Sequence, residues 1–383
     1  MSFRGLLKAF LIAGVVSAAG GSYARDGSPV RSEPPEPRIK AIETTLISDL
    51  TGPEATCDQH AVDVRGNDLG IMAEVGDRLF FLFGDTFGYD GTDYRGPSGA
   101  NWRSNTFGST ASRDPRAGIC IQDWRVGADG KAVAIVEGAH QPALTGADGE
   151  QTKIPTSMVA VGQRLYVEYM SIHGFEARGG AWQTNHAKWV YSDDLGKTWT
   201  QDPQTFGGPD SPFVELALTV QPGNGNAEGE YVYALGTPSG RYGPACCARV
   251  PKDRLLDFDA WEYYAGTAAA DGRTQWSHRR TDAVPVIPAP VGEASILWDP
   301  SLERWLYTYL NEFTRQLELR EAAAPFGPWS RPVTLTTAKA FPELYNAFMT
   351  PSFLRDDGRT LYFVMSTYHP YETHVMKALL RTE

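Results

Sequence analysis

Cysteine is scarce in this 383-residue chain, which has four. None stands in a Cys-x-x-Cys pair and no His-rich spacing accompanies them, so no zinc site is expected. Beyond the N-terminus, no apolar run approaches the length needed to span a bilayer. Convincing amphipathic helices are also lacking. So is any excess of positive charge: 35 Lys and Arg stand against 46 Asp and Glu, a formal charge of −11. A surface of that sign repels nucleic-acid phosphates and anionic lipid, so neither is an expected partner.

What is present begins with a leader. Arg4 and Lys8 precede "AFLIAGVVSAAGG" (9–21), an apolar stretch too short to cross a membrane, and "SYA" (22–24) offers small residues at a cleavage site. Residues 1–24 read as a secretory signal peptide cut after Ala24, which predicts a secreted or periplasmic protein. Losing Arg4 and Lys8 leaves 33 Lys and Arg against the 46 acids, a charge of −13. Residues 25–38, "RDGSPVRSEPPEPR", are Pro-rich and charged and read as a disordered linker, with one domain over 39–383.

An exported protein can keep disulfides. Cys57 and Cys120 flank the same early strand group and are the preferred pair. The adjacent Cys246 and Cys247 are left open: a vicinal disulfide, two thiols, or bonds elsewhere.

Trp 10, Tyr 17, Phe 17, Gly 39 and Pro 26 suit many short strands joined by turns. The strands recur as a unit: a strand, a polar turn, then a more apolar strand. "DLGIMAEV" (68–75) turns at Gly76-Asp77 into "RLFFLFGD" (78–85). The apolar members of later units are "LYVEYMS", "YVYALG", "WLYTYLN" and "LYFVMS". Such spacing predicts an all-β fold, a five-bladed β-propeller, over a β-sandwich. The apolar strands are expected to be inner strands walled in by neighbouring blades. "IKAIETTLI" (39–47) is expected to join the last blade and close the ring. "YSDDLGKTW" (191–199) resembles the Asp-box turn of sialidases and other propellers, in which the aspartate serves the turn; Asp194 is not expected to be catalytic.

In a propeller, strand ends face a central funnel. If the hairpin folds at Gly76-Asp77, Asp68 and Asp85 come together at its far end. Two carboxyls so placed suit general acid–base or nucleophilic chemistry at a glycosidic bond. Gly84 is then a turn or a close backbone approach. The loop "GYDGTDYRGPSGANWRSN" (88–105) offers Trp102 to stack on a sugar ring and Arg103 and Asn105 to bond hydroxyls. Its Asp90 and Asp93 match no calcium loop. His173, Glu293, Glu312, His369 and Tyr371 complete the expected substrate-binding set. No cofactor or metal is expected.

"GNDLGIMAEVGDRLFFLFGDTFG" (66–88) with "WRSN" (102–105) resembles the opening blade of a secreted family, domain of unknown function 4185, associated with endo-D-arabinanases of glycoside hydrolase family 183. The resemblance covers about residues 40–380. It implies a five-bladed propeller that cuts D-arabinan in arabinogalactan and lipoarabinomannan. Its G-x-D-L-G and G-D-T-F elements fall on Gly66–Gly70 and Gly84–Phe87, so the acidic pair carried over is again Asp68 and Asp85. "ACCARVP" (245–251) departs from the family by its cysteine pair. The expectation is therefore an endo-D-arabinanase-like glycosidase, acting as a monomer on an arabinan-like polysaccharide. The alternatives are a non-catalytic glycan-binding propeller or a sialidase-like exo-glycosidase.

Overall fold

A computed structural model describes residues 33–89, 96–147, 149–223, 228–268 and 271–382. The expected signal peptide, most of the expected linker, and Asp90 and Asp93 lie outside the described residues. Five antiparallel sheets form the blades of a β-propeller. Blade I runs Gly66–Val75, Arg78–Gly88, Thr106–Thr110 and Asp123–Trp124, with Ala100–Arg103 also paired to its second strand. Blades II, III and IV start at Thr152–Val161, Glu215–Pro222 and Ala294–Asp299. Blade V orders Leu344–Phe348, Thr360–Thr367 and Glu372–Thr382, and takes Ile39–Asp49 as its outermost strand. Ile39 pairs with Thr382 and Asp49 with His374, so the N-terminal strand closes the ring.

Two strand assignments are corrected. "LFFLF" belongs to the second strand of its blade, not the innermost. Leu79 to Phe83 are buried because sheet neighbours flank them and adjacent blades cover both faces; residues of blades II and V share their core cluster. Burying each such side chain stabilises by about 1.5–3 kcal/mol. In blade V the innermost strand is Leu344–Phe348. The sequence pairs "LYFVMS" with the segment just before it, "PSFLR" (351–355), but there only Leu354–Arg355 is strand, a short addition to Thr360–Thr367.

Cys57 and Cys120 are disulfide-bonded across a sequence separation of 63. Cys246 and Cys247 are buried free thiols, which resolves the open alternatives. Both lie in the strand Ala245–Pro251, whose register against Glu228–Thr237 is continuous there, with Cys247 opposite Leu235 and Cys246 opposite Gly236.

Candidate active site

The first hairpin turns at Gly76-Asp77, with Val75 paired to Arg78. At its far end the ladder is irregular. Between the pairs Asn67–Thr86 and Leu69–Phe83, one residue, Asp68, faces two, Gly84 and Asp85. A bulge of this kind re-aims side chains. Leu69, at φ 68°, adopts the left-handed region that costs a β-carbon residue about 1–3 kcal/mol. It is held there by Asn346 of blade V, whose Nδ2 donates to the Leu69 carbonyl (3.1 Å). Gly84 is the close approach: a Cβ on it would collide with Asp68 Oδ1.

Asp68 and Asp85 both line one cavity of about 720 Å³ at the mouth of the propeller. Asp85 is 7% exposed. Its Oδ1 accepts from Trp102 Nε1 (2.7 Å) and Thr152 Oγ1 (2.6 Å). Burial pushes its carboxyl up to about 8, against those two hydrogen bonds and with help from the Asp68 charge. Asp68 Oδ2 accepts from Tyr345 Oη (3.0 Å), and Tyr371 also bonds this carboxyl. Its Oδ1 is buried without a donor. Burial raises Asp68 to about 7, opposed by the two phenols. The two carboxyls thus feel each other, and both can hold or release a proton near neutrality.

Blades III and IV build the adjoining wall. Arg241, after the second strand of blade III, donates to Glu293 Oε1 through Nε (2.9 Å) and Nη2 (2.6 Å). Its Nη1 reaches Glu312 at 3.4 Å. Burial works against the Arg241 charge, but Glu293 more than offsets this and the pKa is raised. The guanidinium also stands over the ring of Tyr345, 5.0 Å from its centre. Glu215 is buried, accepts from the Gly240 amide (3.0 Å), and is pushed well above the carboxylate range by burial and then by Glu293.

Of the residues singled out in the sequence, the structure brings Asp68, Asp85, Trp102, Glu293, Glu312 and Tyr371 to this cavity. Trp102 differs from expectation in its arrangement. Its indole is already stacked on His140 (4.1 Å between centres, 3° between planes), and its Nε1 serves Asp85. Four residues do not line the cavity. Arg103 is buried and donates to the Asp63 carbonyl (2.8 Å). Asn105 is fully buried, donating to the carbonyls of Val136 (2.7 Å) and Lys153 (3.1 Å) and accepting from the Ile135 amide. The His173 ring bonds the Gly149 carbonyl (2.9 Å). His369 is turned to Glu343, which itself lines the cavity.

Glu215, Arg241, Tyr345 and Thr152 are site residues that the sequence reading missed. One signal was available for Glu215. Like Asp68 and Glu293, it is an acid at or beside the start of an innermost strand. Arg241 sits in an irregular segment with no periodic signal at all.

A Bacteroides ovatus protein solved as a "putative hydrolase" superposes with a TM-score of 0.56 at 12% identity, covering 84% of this chain and 87% of that one. The catalytic domain of a Coprinopsis cinerea GH62 α-L-arabinofuranosidase gives 0.48 at 10% identity, over 88% and 97%. An exo-β-1,3-galactanase from Phanerochaete chrysosporium gives 0.49 at 10%, over 87% of this chain and 64% of that one. No curated protein matches. The family model described as domain of unknown function DUF4185 matches residues 52–377, and the chain belongs to that family.

Proposed function

We propose that this protein is an exported glycoside hydrolase of the endo-D-arabinanase type, cleaving arabinofuranosyl linkages in the arabinan of arabinogalactan or lipoarabinomannan. One observation carries the reading: two mutually interacting carboxyls, the buried Asp85 and the half-buried Asp68, open on one 720 Å³ cavity. Asp85 is the general acid. Trp102 and Thr152 both donate to its Oδ1, which leaves Oδ2 to carry the proton to the leaving oxygen. Asp68 is the ionised partner, since two phenols hydrogen-bond its carboxylate. It supplies the electron pair to the anomeric carbon, directly or through a water, and the anomer first released distinguishes the two. The leader-like N-terminus and the Cys57–Cys120 bridge support an oxidising compartment outside the cytoplasm. Among the described residues one chain supplies all five blades and the cavity lining, and we take the monomer as the acting form.

The test is incubation with mycobacterial arabinogalactan and lipoarabinomannan, with product lengths resolved. Oligosaccharides from the wild type, and none from folded Asp68→Asn or Asp85→Asn, are expected. Release of monosaccharide alone would replace the endo reading with an exo one. A folded wild type that frees no sugar from either polymer would remove the proposal.

A further inference from the structure

Several polar atoms at the cavity wall are buried and have no partner among the described residues. Tyr307 Oη belongs to a fully buried residue of blade IV that lines the cavity. Trp182 Nε1, from a residue 9% exposed in blade II, also lines it and has no acceptor. Glu293 Oε2 is likewise unpartnered, because Arg241 takes only Oε1. An unpaired buried polar group costs about 1–3 kcal/mol, so three in one wall call for a ligand that pairs them.

All three residues line the same cavity. Arg241 joins Glu293 and Glu312 and stands 5.8 Å from the Trp182 ring centre. Tyr307 feels the charge of Glu215, and Glu215 that of Glu293. The chemistry of the missing partner follows from the set. Two acids already flank Arg241, so an anion is disfavoured beside it. An indole N–H needs an acceptor, a carboxylate oxygen needs a donor, and a phenol takes either. Vicinal alcohols supply both roles at short spacing.

We infer that Trp182, Glu293 and Tyr307, braced by Arg241, form a second recognition site in the funnel, one that holds a neutral polyhydroxylated sugar unit beside the Asp68–Asp85 pair. This rests on reading the cavity as a glycan site. The site lies on blades II and IV, whereas the reacting carboxyls lie on blade I. A sugar here and a bond at Asp85 belong to different units of one chain.

The experiment measures calorimetric binding of D-arabinotetraose, xylotetraose and cellotetraose to Asp85→Asn, alone and combined with Tyr307→Phe or Glu293→Gln. Glu293→Gln keeps Oε1 for Arg241 and replaces the free acceptor with a donor. Each change is expected to weaken the best ligand about tenfold, the worth of one lost hydrogen bond to a buried group. Tyr307→Phe should melt at or above its parent, because it removes a hydroxyl that has no protein partner. Unchanged affinity in both variants would overturn the inference, even with arabinan hydrolysis intact. So would failure of all three oligosaccharides to bind the parent, or a lower melting point for Tyr307→Phe with affinity retained. If the wild type hydrolyses nothing yet Tyr307→Phe still weakens binding, the enzymatic reading fails and this site stands.

Discussion

Two aspartates in neighbouring blades sit within two residues of a glycine and are opposite in character. Asp85, in blade I, is enclosed by apolar strands and pushed up to about 8 by burial. Asp194, in blade II, is held down to about 2, chiefly by the Thr198 amide and hydroxyl that donate to it (2.9 and 2.7 Å). Its turn packs against blade I and does not line the cavity: Gly196 abuts Phe107, and Trp199 meets that ring edge-on at 5.3 Å. A carboxylate satisfied by its own turn stays ionised and does structural service. One deprived of water and given too few donors retains a proton it can transfer.

The sharpest way to break this contrast is to neutralise each aspartate. Asp85→Asn and Asp68→Asn should cost about 10²–10⁴-fold in kcat on arabinan, with circular dichroism unchanged, while Asp194→Ala leaves kcat within about twofold. An equal loss at Asp194 would end the distinction. Next in size is Gly84→Ala. The added methyl displaces Asp68, and a shift near 1 Å is expected to cost about 10²-fold in kcat/KM. A smaller effect is the shape of the pH profile. Activity should rise as Asp68 loses its proton near 7 and fall as Asp85 loses its own near 8, giving a narrow bell with both limbs belonging to the coupled pair.

Smallest, and of opposite sign at the two positions, is stability against pH. The folded-state pKa of Asp85 is raised. The wild type therefore loses stability as pH rises from about 4 toward 8, and Asp85→Asn gains on it over that window. Asp194 is lowered, so its contribution is full above about pH 4 and is lost as pH falls toward 2. Asp194→Ala should cost about 1 kcal/mol at pH 7 and nothing at pH 2, read by urea denaturation.

The repeated strand–turn–strand unit made the propeller legible in the sequence, and the length of one hairpin made Asp68 and Asp85 legible as a pair. Both depend on spacing along a short segment. Strand order within a blade was less visible. Leu79 to Phe83 are apolar because both faces are covered, a property shared by any enclosed strand and not specific to the axis. Arg103 and Asn105 bond carbonyls away from the cavity, and a hydrogen-bonding side chain in an aromatic loop reads the same whether it serves a ligand or a carbonyl. Arg241 and Tyr345 lie 173 and 277 residues from Asp68, beyond any local pattern, and join it only because the ring closes.

That closure places the seam of the ring beside the carboxylates. Thr51 bridges Asn67 of blade I and Thr373 of the last strand (both 2.7 Å), while Asn346 and Tyr345 fasten Leu69 and Asp68 from the same blade. Blade I comes first along the chain, yet its strained Leu69 and its Asp68 take these partners from the innermost strand of blade V, 277 residues later. A nascent or C-terminally clipped chain therefore carries both aspartates without the surroundings that tune them.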